Sequence, residues 1–192
     1  KSMVEMQFAD FVSSGFNQVV NNLAKIHYRW GQQADVVIRM PCGAATQAGP
    51  FHSQTNEAWF AHTPGLKIIY PSNPFDAKGL LLSAFEDPNP VLFFLFIALY
   101  RAVEGEVPDA YYTIPIGKGR LIKSGNSMTI ISYGLGIQWA KELLNRVAFD
   151  ADLIDLRSLV PLDYDMIRES VLKTGKVCIL QEDNQFCSIG SE

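Results

Sequence analysis

The sequence predicts an α/β protein built on parallel sheets with helices on both faces. Two observations carry this. Short runs of β-branched and aromatic residues alternate with segments of helical periodicity. Strand-like runs separated by helical ones require crossover connections, which lay neighbouring strands parallel.

Along the chain, Val4–Gln7 is a short apolar run. Phe8, Phe11, Val12, Phe16, Val19, Val20 and Leu23 then follow the i, i+3, i+4 rule and predict an amphipathic helix, with Lys25, His27 and Arg29 at its C-terminal end. Asp35–Met40 reads as a strand halted by Pro41, and a loop of small residues runs from Gly43 to Pro50. Gln54–His62 reads as a short helix, ended by Pro64-Gly65, and Leu66–Tyr70 as a strand. Asn73-Pro74 supplies a cap and a first-turn proline for a helix reaching Phe85. Asp87-Pro88-Asn89-Pro90 is a turn, and Val91–Tyr100 suits a buried strand. Beyond a Gly/Pro-rich stretch, Met128–Tyr133, Ala151–Leu156 and Lys176–Gln181 read as strands. Between them, Gly136–Ala148 and Asp163–Lys173 read as helices, with Gly175 as the stop of the second. The boundary drawn from this is one α/β unit over residues 1–100, an extended linker over 101–126 with one or two short strands, and a second unit over 127–192.

Composition narrows the function classes. The chain of 192 residues is 48% hydrophobic and 19% charged, which excludes disorder. A net charge of −4 without a basic run gives no support for a nucleic-acid partner. No apolar stretch approaches the roughly 20 residues of a membrane span, so no membrane partner is expected. Cys42, Cys178 and Cys187 are too scattered for a zinc site or a disulfide scaffold and suit thiols in a reducing compartment. The edges are abrupt: patterned sequence is under way at Lys1, and Glu192 follows no closing helix.

Two places invite chemistry. Gly134-Leu-Gly136 opens a helix directly after a strand, and Asp155 ends the next strand, as in a dinucleotide-binding corner. Trp139 stands where that motif wants its third glycine, leaving a plain strand–turn–helix corner as the alternative to an NAD-binding oxidoreductase. The second place is the loop from Gly43 to Gln54. It leaves the C-terminal end of a strand, where open α/β sheets gather ligands, and it carries His52, histidine being the residue type suited to proton exchange near neutral pH. His27 and His62 read as structural. From the residues alone, the site stays a candidate centred on His52.

A family resemblance sharpens this. It is carried by Val4-Glu-Met-Gln-Phe-Ala-Asp-Phe11, Phe16–Lys25, Ile38-Arg-Met-Pro41, Gly49-Pro-Phe-His-Ser-Gln54, Glu57–His62 and Pro64–Pro71. Ala77–Leu81, Glu86–Pro90, Ala98–Arg101, Asp152–Arg157, Pro161 and Lys173–Lys176 continue it. Together these resemble the beta subunit, or the beta portion of a fused alpha/beta chain, of the thiamine-diphosphate-dependent decarboxylating component of 2-oxo acid dehydrogenase complexes. The Gln7–Phe11 run is closer to the branched-chain type than to the pyruvate type. The resemblance implies part of a transketolase-like pyrimidine-binding domain over residues 1–100 and part of the transketolase C-terminal domain over 127–192. It implies oxidative decarboxylation of a 2-oxo acid with acyl transfer to lipoamide, in the bacterial cytoplasm or the mitochondrial matrix.

By the same resemblance, His52 assists proton and acyl transfer at thiamine diphosphate, with Gln7 and Phe11 beside the cofactor. Phe11 replaces a tyrosine of close relatives, so that hydroxyl is lost. A potassium site is implied at Ala34, Val36, Val37, Ala84, Asp87 and Asn89, a span that also reads as a simple turn. The implied partners are an alpha subunit or domain, which holds magnesium and shares thiamine diphosphate, a second beta chain, and a lipoyl-bearing acyltransferase core. Leu95-Phe96-Ile97 departs from a polar stretch in relatives, and Gln181-Glu182 stands where they carry His-Glu. The family's activating glutamate is expected upstream of Lys1, and its diphosphate motif in the alpha chain. The isolated piece is therefore expected to be inactive, or to act only as an assembly module.

Overall fold

The computed structural model describes residues 1–44 and 47–192; Ala45 and Thr46, within the small-residue loop, lie outside the described residues. The chain opens with strand β1 (Ser2–Glu5), a 3₁₀ segment (Ala9–Gly15), a π-helical segment (Gln18–Leu23) and helix α1 (Ile26–Trp30). Next come β2 (Val36–Cys42), α2 (Ala58–Ala61), β3 (Lys67–Ile69), α3 (Pro74–Glu86), β4 (Val91–Phe96) and α4 (Leu99–Ala102). The second half holds β5 (Arg120–Lys123), β6 (Met128–Ser132), α5 (Leu135–Arg146), β7 (Ala151–Asp155), β8 (Ser158–Val160), α6 (Tyr164–Thr174) and β9 (Val177–Leu180).

These strands form two sheets, ordered β1-β2-β4-β3-β8 and β5-β7-β6-β9. The expected parallel pairing holds for β1, β2, β3 and β4 and for β6, β7 and β9. Two antiparallel edges escaped sequence reading. β5 lies against β7, and β8 leaves the second half of the chain to lie against β3.

β4 shows why the first sheet is buried on both faces. Its Leu92, Phe94 and Phe96 join Val12, Val19, Met40, Phe60 and Ile68 on one side. Val91 and Phe93 join Leu80, Ala84 and Ile114 on the other. The first of these clusters runs on without a break into Ile131, Tyr133, Ile154 and Leu159 of the second half. At the start of α3 the predicted cap is present: the Asn73 side chain accepts from the Asp76 N–H at 2.9 Å, ahead of Pro74. Asp163 caps α6 likewise, and Gly175 ends it in a left-handed conformation.

Three element readings need correction. The single helix over Phe8–Leu23 is instead 3₁₀, then π, because apolar spacing marks a buried stripe and leaves the hydrogen-bond step open. Pro41 does not halt β2, which runs to Cys42. β1 has ended by then, its last pair being Glu5 with Arg39, so Pro41 faces no neighbour on the side where its missing N–H would bond. The strand expected over Val91–Tyr100 stops at Phe96, and α4 follows.

Residues 103–119 carry no regular element, but they are strapped to α3. The Ile114 N–H donates to the Gly79 carbonyl at 3.2 Å, and Lys78 donates to carbonyls of Asp109 and Ala110.

The two halves meet on Arg157, which sits between β7 and β8 with a φ of 56°. Its guanidinium donates to the Lys118 and Gly119 carbonyls at 3.1 and 2.9 Å and pairs at 3.2 Å with Asp76, a fully buried carboxylate on α3. Ser72 donates to Asp155 across the same seam. Asn73 and the more distant Arg120 also face Asp76, but Arg157 is its nearest cation, and removing such a partner from a buried carboxylate costs more than the pair itself contributes. Arg157→Ala is expected to lower unfolding free energy by about 3 kcal/mol in urea titrations, with Arg157→Lys recovering only part because it lacks the planar fork. A change below about 0.5 kcal/mol would show that Asp76 does not depend on it.

Candidate active site

The site grows from the C-terminal end of β2, where the chain leaves the sheet at Gly43. This residue has a φ of 96°, and a Cβ there would overlap the ring of Phe96. Glycine is therefore required twice over, by conformation and by contact. Phe96, from the apolar departure at Leu95–Ile97, is buried and packs on Tyr70 with ring centroids 4.8 Å apart. Leu95 and Ile97 are half-buried, so the stretch fills the interior more than it adds exposed surface.

The loop returns to place His52 between two aromatic edges. Phe8 and Phe11 meet its ring at near right angles, with centroids 4.8 and 5.3 Å away. The backbone around it is held from the 3₁₀ segment: Gln54 N–H donates to Asp10 Oδ1 at 3.2 Å, and the Asn56 side chain donates to the Ala9 carbonyl at 2.9 Å. From the other side, Glu182 accepts from the Ala44 N–H at 2.7 Å, and its carbonyl accepts from the Thr55 hydroxyl. A cleft of about 340 Å³ opens between Ser53, Gln54, Thr55, Glu182 and Asp183.

Among the described residues, five buried side-chain atoms lack a hydrogen-bond partner, and all belong to this region. They are Asp10 Oδ2, His52 Nδ1, Asn56 Oδ1, Glu57 Oε2 and Asp183 Oδ2. Buried polar groups are almost always satisfied, so this concentration marks a place shaped for something other than stability. Glu57 is wholly buried; burial pushes its carboxyl up to about 8, although a 2.7 Å hydrogen bond from the Tyr133 hydroxyl pulls the other way. Burial likewise raises the Cys42 thiol, which lies 2.7 Å from the Tyr70 hydroxyl.

The structure thus brings His52 and Phe11 together, with Gln7 exposed at the adjoining position before Phe8. The His52 ring is only partly buried, and its Nδ1 faces inward without a hydrogen-bond partner. Asp10, Asn56, Glu57, Tyr133 and Asp183 were missed, because nothing in their spacing marks them. Their convergence needs both halves of the chain.

The six positions of the implied potassium site gather where β2 begins and α3 turns into β4. Val37 pairs with Val91, and Ala34 accepts from the Val36 N–H. Asp87 Oδ1 accepts from the backbone and side chain of Asn89, Oδ2 pairs with Lys67, and the carbonyl accepts from the Lys1 ammonium. Burial tends to raise the Asp87 carboxyl, but Lys67 and Asn89 outweigh it and hold it below the usual range. Ala84 is buried on α3 and supplies at most a backbone oxygen. Oxygens at this end therefore accept cations, with two ammonium groups already there; no cluster of three or more His, Cys, Asp or Glu suited to a metal occurs among the described residues.

The Gly134 corner is closely packed by Phe96 and Ser132. A Cβ on Gly134 would overlap Phe96, and one on Gly136 would overlap Ser132. Asp155 is wholly buried, accepting from Ser72 and from the Arg157 N–H, out of reach of any ribose. These glycines serve packing, and Asp155 is committed to Ser72 and Arg157, which supports the plain strand–turn–helix corner.

The family models agree with this architecture. "Transketolase, pyrimidine binding domain" matches residues 1–102, and "Transketolase, C-terminal domain" matches 117–192. The chain belongs to the transketolase pyrimidine-binding-domain family, joined to the family's C-terminal domain. Among curated proteins it is 44% identical to the 2-oxoisovalerate dehydrogenase subunit beta of Bacillus subtilis (strain 168), covering all of this chain and 60% of that one. It is 43% identical to the mitochondrial 2-oxoisovalerate dehydrogenase subunit beta of Dictyostelium discoideum, over 94% of this chain and 50% of the other. The beta subunit of acetoin:2,6-dichlorophenolindophenol oxidoreductase from Bacillus subtilis (strain 168) is 42% identical, over all of this chain and 57% of its own length. The chain thus spans between half and three fifths of these relatives. A solved split-gene transketolase, an inactive beta4 tetramer, shares the fold with a TM-score of 0.75 at 23% identity, over 99% of this chain and 58% of that one.

Gly43 supplies the test of the loop. Gly43→Ala is expected to cost about 2 kcal/mol or more from left-handed strain and overlap with Phe96. Adding Phe96→Leu should return the overlap part, as read from denaturant midpoints. Equal stability of Gly43→Ala and the parent would contradict the packing described.

Proposed function

We propose that this chain is the beta portion of a thiamine-diphosphate-dependent 2-oxo acid dehydrogenase component, of the branched-chain type. The observation that supports it most is His52. It carries a buried, unpartnered Nδ1 between Phe8 and Phe11, at the end of a sheet where such folds gather their ligands, in a chain similar to 2-oxoisovalerate dehydrogenase beta subunits.

In this reading His52, Gln7 and Phe11 are the residues of this chain that meet the cofactor. Thiamine diphosphate supplies, when bound, the electron sink for decarboxylation. His52 holds or releases a proton at a ring nitrogen as the acyl group passes to lipoamide. An imidazole suits this because its two ring nitrogens can donate and accept. Phe8 and Phe11 wall the ring and limit water there. Gln7 offers an amide that can donate and accept.

The partners in this reading are an alpha chain or domain that holds magnesium and the diphosphate, a second beta chain, and a lipoyl-bearing acyltransferase core. The protein works in the bacterial cytoplasm or the mitochondrial matrix. The isolated 192-residue piece does not turn over. Likeness to an acetoin oxidoreductase beta subunit favours one second reading, in which the same site serves acetoin.

The test uses the complete alpha/beta enzyme with 2-oxoisovalerate, pyruvate and acetoin as rival substrates. The 2-oxoisovalerate rate is expected to be highest, and His52→Ala to lower reductive acylation of lipoamide by roughly 10²–10⁴. Normal acylation in that variant would remove His52 from the mechanism, and a preference for acetoin would select the second reading.

A potassium ion held at Ala34, Val36, Val37, Ala84, Asp87 and Asn89 belongs to the same proposal. It would be bound on oxygen atoms, as hard cations are. Potassium chloride is expected to raise the melting midpoint above that in equal sodium chloride, and Asp87→Ala to abolish the difference. Identical midpoints in both salts for the parent protein would rule the site out.

A further inference from the structure

We propose that Glu57 is a positioning residue, a neutral carboxyl that docks the His52 loop onto the second half of the molecule through the Tyr133 hydroxyl. The effect on catalysis rests on the reading of His52 given above; the docking does not.

Glu57 precedes α2 and closes the loop that carries His52 five residues earlier. Its side chain crosses between the halves: Oε1 accepts from Tyr133 at 2.7 Å, while Oε2 is buried without a partner. Tyr133 is itself buried, at the end of β6, where its ring lies 5.2 Å from that of Tyr70.

The titratable groups facing this carboxyl are Cys42 from β2, Tyr70 after β3, Tyr133 after β6, and Glu182 and Asp183 after β9. None of these can supply a positive charge. An ionised Glu57 would sit desolvated beside two further carboxyls, with one oxygen unsolvated, which is the arrangement proteins avoid by keeping the proton. Burial accordingly raises its titration to about 8.

The sign of the pH effect follows. Below about pH 4.5 both folded and unfolded chains carry the proton, and the contact is at full strength. Between there and pH 8 only the folded chain holds it, so stability falls as pH rises. Near and above pH 8 the folded carboxyl ionises and the docking weakens. The contact thus makes the seating of His52 depend on a proton that is not on His52.

The experiment compares the full-length protein with Glu57→Gln, Glu57→Ala and Tyr133→Phe. Relative to Glu57→Gln, the unfolding constant of the parent should rise roughly tenfold per pH unit between about 5 and 8. Asp155 also titrates near 7, but it is common to both proteins and cancels. In pH-difference infrared spectra, one protonated-carboxyl band should vanish near pH 8 in the parent, be missing in Glu57→Gln, and persist to higher pH in Tyr133→Phe, where the hydroxyl no longer favours the carboxylate. Hydrogen-exchange protection of residues 47–54 should fall in Glu57→Ala and be restored in Glu57→Gln. Parallel pH profiles for the parent and Glu57→Gln, or equal loop protection in the two Glu57 variants, would overturn the proposal. None of these readouts involves thiamine diphosphate, so they can fail while the proposed function stands, and the reverse.

Discussion

Asp76 is a carboxylate with no exposed surface, and the join between the halves of the molecule is arranged around it. Arg157 reaches it from the turn between β7 and β8, Arg120 stands 3.8 Å away, and Ser72 ties the preceding turn to Asp155. A buried charge of this kind adds little net stability over an apolar replacement, but it is very costly to leave unpaired. It therefore specifies geometry. With Arg157 in place, β8 is delivered to β3 and the antiparallel edge forms. The shared core then runs from Val12 through Phe94 to Tyr133 and Leu159.

That join makes the site composite. His52 rides on a loop from the first sheet, but the loop is held in part by Glu182 and Tyr133, which belong to the second. The second half thus acts as the wall against which the loop is seated, as well as packing beside the first. Among the described residues, the unpartnered polar atoms lie on the 3₁₀ segment at Asp10, on the loop and its return at His52, Asn56 and Glu57, and on the second half at Asp183. Their concentration separates this region from the satisfied network of Thr129, Ser170 and Asp152 elsewhere in the fold.

Periodicity and capping residues made the parallel layers legible, and Asn73-Pro74 and Gly175 placed helix ends that the structure shares. What escaped depended on contacts distant in sequence. The π-helical turn at Gln18–Leu23 obeys the same apolar spacing as an α-helix, and β8 is too short to show a period. Pro41 misled because its strand loses a neighbour at that residue. At the site, His52 stood out through its chemistry and its loop, whereas Glu57 reads in sequence as one acid on a short helix. Its meaning comes from Tyr133, seventy-six residues away. Gly134 misled in the opposite direction, since its freedom is used to admit Phe96 and serves no phosphate.

The central proposal is that His52, seated against the edges of Phe8 and Phe11, is where a docked cofactor meets this chain. Nitrogen-15 spectra of the protein assembled with the alpha partner proposed above, labelled at histidine and assigned through His52→Gln, test it directly. Adding thiamine diphosphate with magnesium is expected to move the His52 ring-nitrogen signals and leave those of His27 and His62 in place. Unchanged His52 signals at saturating cofactor would contradict the account.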